Sequence, residues 1–248
     1  VAETFVLAPD ASFDERHGFS SLETCFALRG ERINESTISR LERVLVGDRF
    51  YYLKVYHLGG RNLRRFIGRS RVRAEWQNAR YFARLGIPSA RAVVFGERPR
   101  LADGDQGVVV TEQVTGAEDL EVMAAAYPER LRDRAWMNQV IGRLAGHVRS
   151  LHGNRFVHND LKFRNVLVDF SKQPEVYIID CPLGRRTPWP FLQRGIVKDL
   201  ACLDRMAKRY LSRSQRLRFF KRYHQTAQLT ARHRRQLLKI HRFFEGRH

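Results

Sequence analysis

The chain has 248 residues and carries 45 Lys and Arg against 26 Asp and Glu, a formal charge of +19. With 43% hydrophobic and 11% aromatic residues it can bury a sizeable core, which excludes wholesale disorder, and its length suits one two-lobed domain. Three cysteines without metal-like spacing, Cys25, Cys181 and Cys202, argue against a disulfide scaffold or a structural zinc site, and no apolar run nears the roughly 18 residues of a membrane span. Residues 1–5 lack a basic-then-apolar leader pattern, so a cytoplasmic protein that attracts anionic partners is expected.

In chain order, a strand over residues 37–46, a Gly47-Asp48 turn and a strand over 49–56 make a hairpin. Its second strand alternates Tyr51, Leu53 and Val55 against Tyr52, Lys54 and Tyr56. A helix over 71–85 places Glu75, Ala79 and Phe82 on one face beside Trp76 and Ala83, and Gly86 with Pro88 stops it. Strands follow at 92–95 and 107–113, the latter with the β-branched run Val108-Val109-Val110-Thr111 that suits a central strand. After Val114 the pattern turns helical, with Trp136, Val140, Leu144, Val148 and Leu151 on one stripe that ends at Gly153. The expected fold is α+β, a two-lobed protein-kinase-like architecture. Residues 1–114 form a strand-rich, five-stranded nucleotide-binding lobe with one helix, and residues 115–248 a helical lobe with the catalytic, metal and acceptor groups.

The stretch His158-Asn159-Asp160-Leu161-Lys162-Phe163-Arg164-Asn165 carries the chemistry. It has the H-x-D-L-x-x-x-N form of the kinase catalytic loop, with Asn five residues after Asp. A phosphoryl acceptor needs a carboxylate to orient its hydroxyl and take the proton, which Asp160 supplies, with Lys162 beside it as the second catalytic residue. Two further strands, 166–168 and 176–179, form a hairpin that returns Asp180 to the end where Asn165 sits. These two oxygen donors can share one Mg²⁺. Upstream, Lys54 on a strand and Glu75 on the next helix stand in the order of the lysine that holds ATP phosphates and the glutamate that orients it. Glu112 and Val114 would be the hinge that meets adenine. Singly, each residue has a plainer reading as a solvated charge, a turn residue or a core histidine; their shared order favours the kinase.

The blocks Tyr51-Tyr52-Leu53-Lys54-Val55-Tyr56, Arg73-Ala74-Glu75-Trp76-Gln77, Ala92-Val93-Val94-Phe95-Gly96-Glu97, Val110-Thr111-Glu112 and Lys198-Asp199-Leu200-Ala201 resemble the lipopolysaccharide core kinases of the Kdo/WaaP/InaA type, from about Leu28 to Tyr223. The resemblance implies a kinase-like fold that uses ATP to phosphorylate heptose or Kdo of the lipid A core at the cytoplasmic face of the inner membrane. It implies Lys54 and Glu75 for nucleotide phosphates, Asp160 as base, and Asn165 and Asp180 for metal. By the same likeness Asp199, otherwise a first-turn helix carboxylate, would brace the catalytic loop.

Departures from the protein-kinase pattern narrow the acceptor. Residues 30–36 hold one glycine and no G-x-G-x-x-G, so phosphate holding rests more on side chains. Asn159 replaces the arginine that pairs with a phosphorylated activation loop, Cys181-Pro182 stands in place of Phe-Gly, and the stretch from Asp180 to Asp199 lacks A-P-E. A non-protein acceptor is therefore expected. Arg185, Arg186, Arg194 and Lys198 fall in a segment without acids and would bind an anionic lipopolysaccharide acceptor. Arg61, Arg64, Arg65, Arg69, Arg71 and Arg73, and the basic tail, would face an anionic membrane surface. The alternatives are a protein kinase or other small-molecule kinase of the same fold, an inactive scaffold, and a nucleic-acid-binding module. The last draws only on charge, so no nucleic acid is expected, and no specific protein partner is predictable.

Overall fold

The computed structural model describes residues 3–57, 69–98 and 105–246, so Arg61, Arg64 and Arg65 lie outside the described residues. The chain divides into two compact units, Val1–Tyr81 with Ala90–Thr115, and Phe82–Ser89 with Gly116–His248. Residues 82–89 thus group with the second unit, a difference from a single division at 114/115.

The first unit contains β1 (Thr4–Leu7), α1 (Phe13–Gly18), α2 (Leu22–Ala27), β2 (Glu31–Glu35), β3 (Ser39–Val46), β4 (Arg49–His57), most of α3 (Arg71–Arg84), β5 (Ala92–Glu97) and β6 (Asp105–Glu112). The strands form one antiparallel sheet in the order β1-β5-β6-β4-β3-β2. Six strands stand where the sequence predicts five, because β1 pairs along β5. Two short helices, α1 and α2, also join the one expected helix. The predicted hairpin is β3–β4, turned by Gly47 at φ 61°, a backbone sign that favours glycine in a two-residue turn.

Strand alternation gives the sheet two buried faces. Tyr51, Leu53, Val55, Val108 and Val110 face Phe19 from the α1–α2 junction and Leu22, Cys25 and Phe26 from α2. Tyr56, Phe95 and Val109 pack on Val72 and Trp76 of α3, with Trp76 and Phe95 stacked at 6.0 Å. A capping box starts α1: Ser12 N–H donates to Glu15 Oε2 at 2.8 Å, and Glu15 N–H to Ser12 Oγ at 3.2 Å. Glu15 is fully buried, accepts from the Tyr51 hydroxyl at 2.9 Å and pairs with Arg91. Arg73 Nε and Ser70 Oγ donate to Glu97 at 2.8 and 2.6 Å, which ties the start of α3 to β5.

The second unit contains β7 (Ala117–Asp119), α4 (Leu120–Ala126), α5 (Pro128–Arg132), α6 (Arg134–Gly153), β8 (Phe156–Val157), β9 (Val166–Asp169), β10 (Val176–Ile178), β11 (Arg185–Arg186), α7 (Trp189–Tyr210), α8 (Arg213–His224) and α9 (Ala231–His241). The predicted stripe of α6 is buried throughout. Small antiparallel pairings, β10-β9-β7 and β11-β8, frame the loop between α6 and β9. Among the described residues no helix is long and apolar enough to cross a membrane.

Candidate active site

In the first unit Lys54 lies mid-strand on β4, opposite Leu41 on one side and Val109 on the other, so its Cα is fixed by pairing along both edges. Its Nζ is 3.2 Å from Glu75 Oε2, with the two side chains 17% and 12% exposed. Partial burial of this pair raises its Coulombic attraction above that of a solvated surface pair. The Tyr56 hydroxyl donates to the same Glu75 carboxylate, and the Tyr56 ring lies 5.4 Å from Lys54 Nζ. Tyr56, two residues beyond Lys54 on the same strand face, was legible from the period-2 alternation.

Glu112 ends β6, but its carboxylate accepts from Arg49 at 3.0 Å and from Arg91 Nε at 2.7 Å, and its N–H donates to Arg91 O at 2.9 Å. Its side chain is therefore committed to holding neighbouring strands, and a hinge role falls to main-chain carbonyl oxygen. Val114 is half-buried and makes no main-chain hydrogen bond among the described residues. Between β2 and β3, Ser36 Oγ accepts from the N–H groups of Ile38 and Ser39 at 3.2 and 3.1 Å and donates to Ser39 O. The turn that lacks glycines thus satisfies those amides with its own serine.

In the second unit the loop predicted to be catalytic is hung on Asp199. This wholly buried carboxylate accepts from the N–H groups of His158 at 2.7 Å and Asn159 at 2.8 Å, and lies 3.3 Å from His152 Nε2. His152 Nδ1 is in turn 2.8 Å from the Tyr223 hydroxyl. Asn159 is left-handed at φ 68°, which Asn tolerates better than most residues, and its side chain donates to Leu183 O at 3.0 Å. His158 is buried, and desolvation holds its imidazole below the ordinary value, so it is neutral at pH 7.

Asp160 Oδ1 is 2.6 Å from Lys162 Nζ, with the carboxylate 25% exposed. Asn165 Nδ2 donates to Asp160 O at 2.8 Å, which leaves the Asn165 Oδ1 as its oxygen for a cation. The hairpin β9–β10 pairs Val166 with Ile178, and Ile179 N–H donates to Asn165 O at 3.0 Å, so Asp180 follows directly after that bond. Asp180 is left-handed at φ 52°. Two hard oxygen donors of this kind would suit Mg²⁺, an ion that tolerates few protein ligands. Among the described residues no cluster of three or more His, Cys, Asp or Glu competes as an all-protein cage.

The basic residues expected at the acceptor do not all converge. Arg185 and Arg186 are exposed on β11, which pairs with β8 just before the catalytic loop. Lys198 is half-buried on α7 beside Asp199, whereas Arg194, a turn earlier, lines a cavity formed with α8 and α9. Of the second arginine cluster, Arg69 donates to Gln77 and Asn78 and Arg73 to Glu97, so both serve α3. Burial pushes the thiols of Cys25 and Cys202 up to about 12 and about 11, away from nucleophilic use. His152 and Tyr223 escaped the sequence because only the tertiary packing of α6, α7 and α8 joins them to Asp199.

Lysine on a strand, glutamate on the next helix, then an Asp and Asn loop and a further Asp stand in the order of the kinase class of phosphotransferases. Residues 24–237 match the lipopolysaccharide kinase (Kdo/WaaP) family, and the chain belongs to it. It is 26% identical over 220 residues to lipopolysaccharide core heptose(I) kinase WaaP of Pseudomonas aeruginosa, a match that spans 84% of this chain and 81% of that protein. A solved structure of WaaP in complex with acyl carrier protein superposes with a TM-score of 0.74 at 25% identity and covers 98% of each chain.

Proposed function

We propose that the protein transfers the γ-phosphoryl group of ATP to a sugar hydroxyl, of heptose or Kdo, in the inner core of lipopolysaccharide. The observation that carries this reading is the Asp160 carboxylate, partly exposed, paired with Lys162 and set on a loop clamped by Asp199. Asp160 orients the hydroxyl and takes its proton as the oxygen forms its bond to phosphorus and ADP leaves. Lys162 neutralises charge beside it, and Lys54, held by Glu75, takes nucleotide phosphates. Mg²⁺, when bound through Asn165 and Asp180, supplies charge neutralisation at the phosphates. The backbone of Glu112 and Val114 serves adenine.

Arg185, Arg186 and Lys198 are assigned to the anionic surroundings of the acceptor, whereas Arg194 lines the cavity between α7, α8 and α9; contact with the cytoplasmic face of the inner membrane follows from where such a substrate resides. Heptose is the first acceptor to test, because the relative matched along most of the chain is a heptose(I) kinase. The experiment is to incubate the purified protein with ATP, Mg²⁺ and dephosphorylated core and follow the mass of the core. One added phosphoryl group per acceptor sugar, absent with Asp160→Ala, is the expected result. Phosphorylation of generic protein without sugar, or salt-sensitive DNA retention without turnover, would overturn it.

A further inference from the structure

The second unit holds a cavity that phosphoryl transfer does not use. Its volume is about 910 Å³, and it is bounded by α7, the end of α8, α9 and the residues that follow. Five cations line it: Arg194 from α7, and Arg232, Arg235, Lys239 and Arg242 from α9 and its C-cap. The four from α9 recur at three- and four-residue spacings, which places them along one helix face. The single acid in the lining, Glu245, sits 3.8 Å from His241.

Among the described residues none of these five cations has an ion-pair or hydrogen-bond partner. Elsewhere in the same unit arginines are paired: Arg143 meets Glu175 at 2.8 Å and Arg216 meets Asp204 at 2.7 Å. Like charges gathered around one concavity repel one another, and an anion among them removes that cost. A second observation points the same way. His224 lines the same cavity, half-buried, its Nε2 without a hydrogen bond of ordinary geometry although the Gln236 side chain stands beside it, and its ring 4.5 Å from that of His233. An acceptor oxygen in the cavity would compete with Gln236 for this ring's proton. Burial lowers the His224 pKa to about 4, so the ring is neutral at pH 7 and one nitrogen carries a proton. Ile196, Val197 and Leu238 add an apolar wall.

We propose that this cavity binds a phosphate ester, its oxygens taken by the α9 guanidinium and ammonium groups and its apolar part set against Ile196 and Leu238. Guanidinium groups match phosphate through paired N–H donors, and two or more cations favour a dianionic head over a monoanion. The phosphate can belong to a lipid headgroup or to a soluble ester. The assignment does not depend on which hydroxyl the enzyme phosphorylates.

The test uses the full chain and two probes, phosphatidylcholine vesicles with and without phosphatidate, and soluble glycerol phosphate. Arg235 and Lys239 are exposed, so Arg235→Gln with Lys239→Gln is compared with Arg132→Gln with Lys172→Gln, which removes equal charge from exposed sites outside the cavity. The native protein should co-sediment with phosphatidate vesicles and not with pure phosphatidylcholine, or show a raised Tm with glycerol phosphate. The first probe marks a lipid source and the second a soluble one. The α9 pair should weaken binding by roughly tenfold or more, and the control pair by about twofold or less. Arg235→Lys, which keeps the charge, should retain most of the binding and guards against a folding defect in the double variant. Equal losses in both double variants, or no binding to either probe, would overturn the proposal.

Discussion

The ring of Phe82 lies nearly parallel to the imidazole of His158, with centroids 6.2 Å apart and planes within 22°. Phe82 also meets Phe156 edge-on at 5.6 Å. Cys181, not an aromatic residue, follows Asp180, and the aromatic partner of His158 comes from the last turn of α3. Phe82→Ala should cost about 3–5 kcal/mol of stability, as large aromatic truncations in a core do. It should also lower kcat for core phosphorylation more than it raises either KM, while Phe82→Leu recovers most of both. Denaturant melts and steady-state kinetics on the same preparations decide this, and an unchanged kcat in a folded Phe82→Ala protein would refute the positioning role.

Lys54 and Glu112 separate cleanly by experiment. Lys54→Ala removes a phosphate cation and should raise KM for ATP at least tenfold, with some fall in Tm because the largely buried Glu75 keeps Tyr56 but loses its cation. Glu112→Ala should lower Tm by taking one carboxylate from each of Arg49 and Arg91, at a cost of about 1–3 kcal/mol, while KM for ATP moves less than threefold. A large nucleotide defect in a stable Glu112→Ala protein would show that the side chain reaches the nucleotide.

Arg185→Ala with Arg186→Ala should raise KM for core lipopolysaccharide and flatten its salt dependence, with KM for ATP unaltered. Both side chains are exposed and unpaired among the described residues, so the fold should survive. Initial rates at low and high salt read the effect. Equal loss toward both substrates would assign these arginines elsewhere.

His224 gives the acid limb of stability. Burial first, then the charges of His233, Arg232 and Arg149, lower its pKa from 6.5 to about 4, against an opposing hydrogen bond from Gln236. Between those values the unfolded chain binds a proton that the native state refuses, so the contribution is whole above 6.5 and falls as pH drops toward 4. His158, also lowered by burial, acts in the same direction. His224→Gln should flatten this decline in urea melts without abolishing it. A slope identical to the native protein's would show that His224 is not among the groups responsible.

The sequence carries the elements that have length or strong period. The β3–β4 hairpin shows in the alternation around Lys54 and the Gly47-Asp48 turn, α3 and α6 in their apolar stripes, and the β9–β10 hairpin in two short β-branched runs. The first 36 residues are harder, because a four-residue β1 and two six-residue helices give no period to count. Their one local sign is the Ser12-x-x-Glu15 capping box. At the site, residue types at fixed spacing around Asp160 are visible, since chemistry demands them in one loop. Long-range supports are not: nothing in the chain announces that Phe82 stacks on His158 or that Glu112 closes on Arg91, because each partner is an ordinary residue until folding joins them. The sequence groups Arg194 with Arg185, Arg186 and Lys198 as the charges of one acid-free segment, and in the structure its position on α7 lines the cavity with α8 and α9.

The stretch shared with the family begins at residue 24, yet the sheet is finished by what comes before it. Phe19 and Leu22 fill the core under β4 and β6, β1 covers the edge of β5, and Glu15 anchors Arg91, which in turn holds Glu112. A polypeptide trimmed to 24–237 would bare an edge strand and an apolar sheet face, both invitations to self-association. At the other end the same cut removes Lys239 and Ile240, the latter a buried residue of α9. Anyone seeking a minimal soluble kinase should shorten neither end to the family's limits.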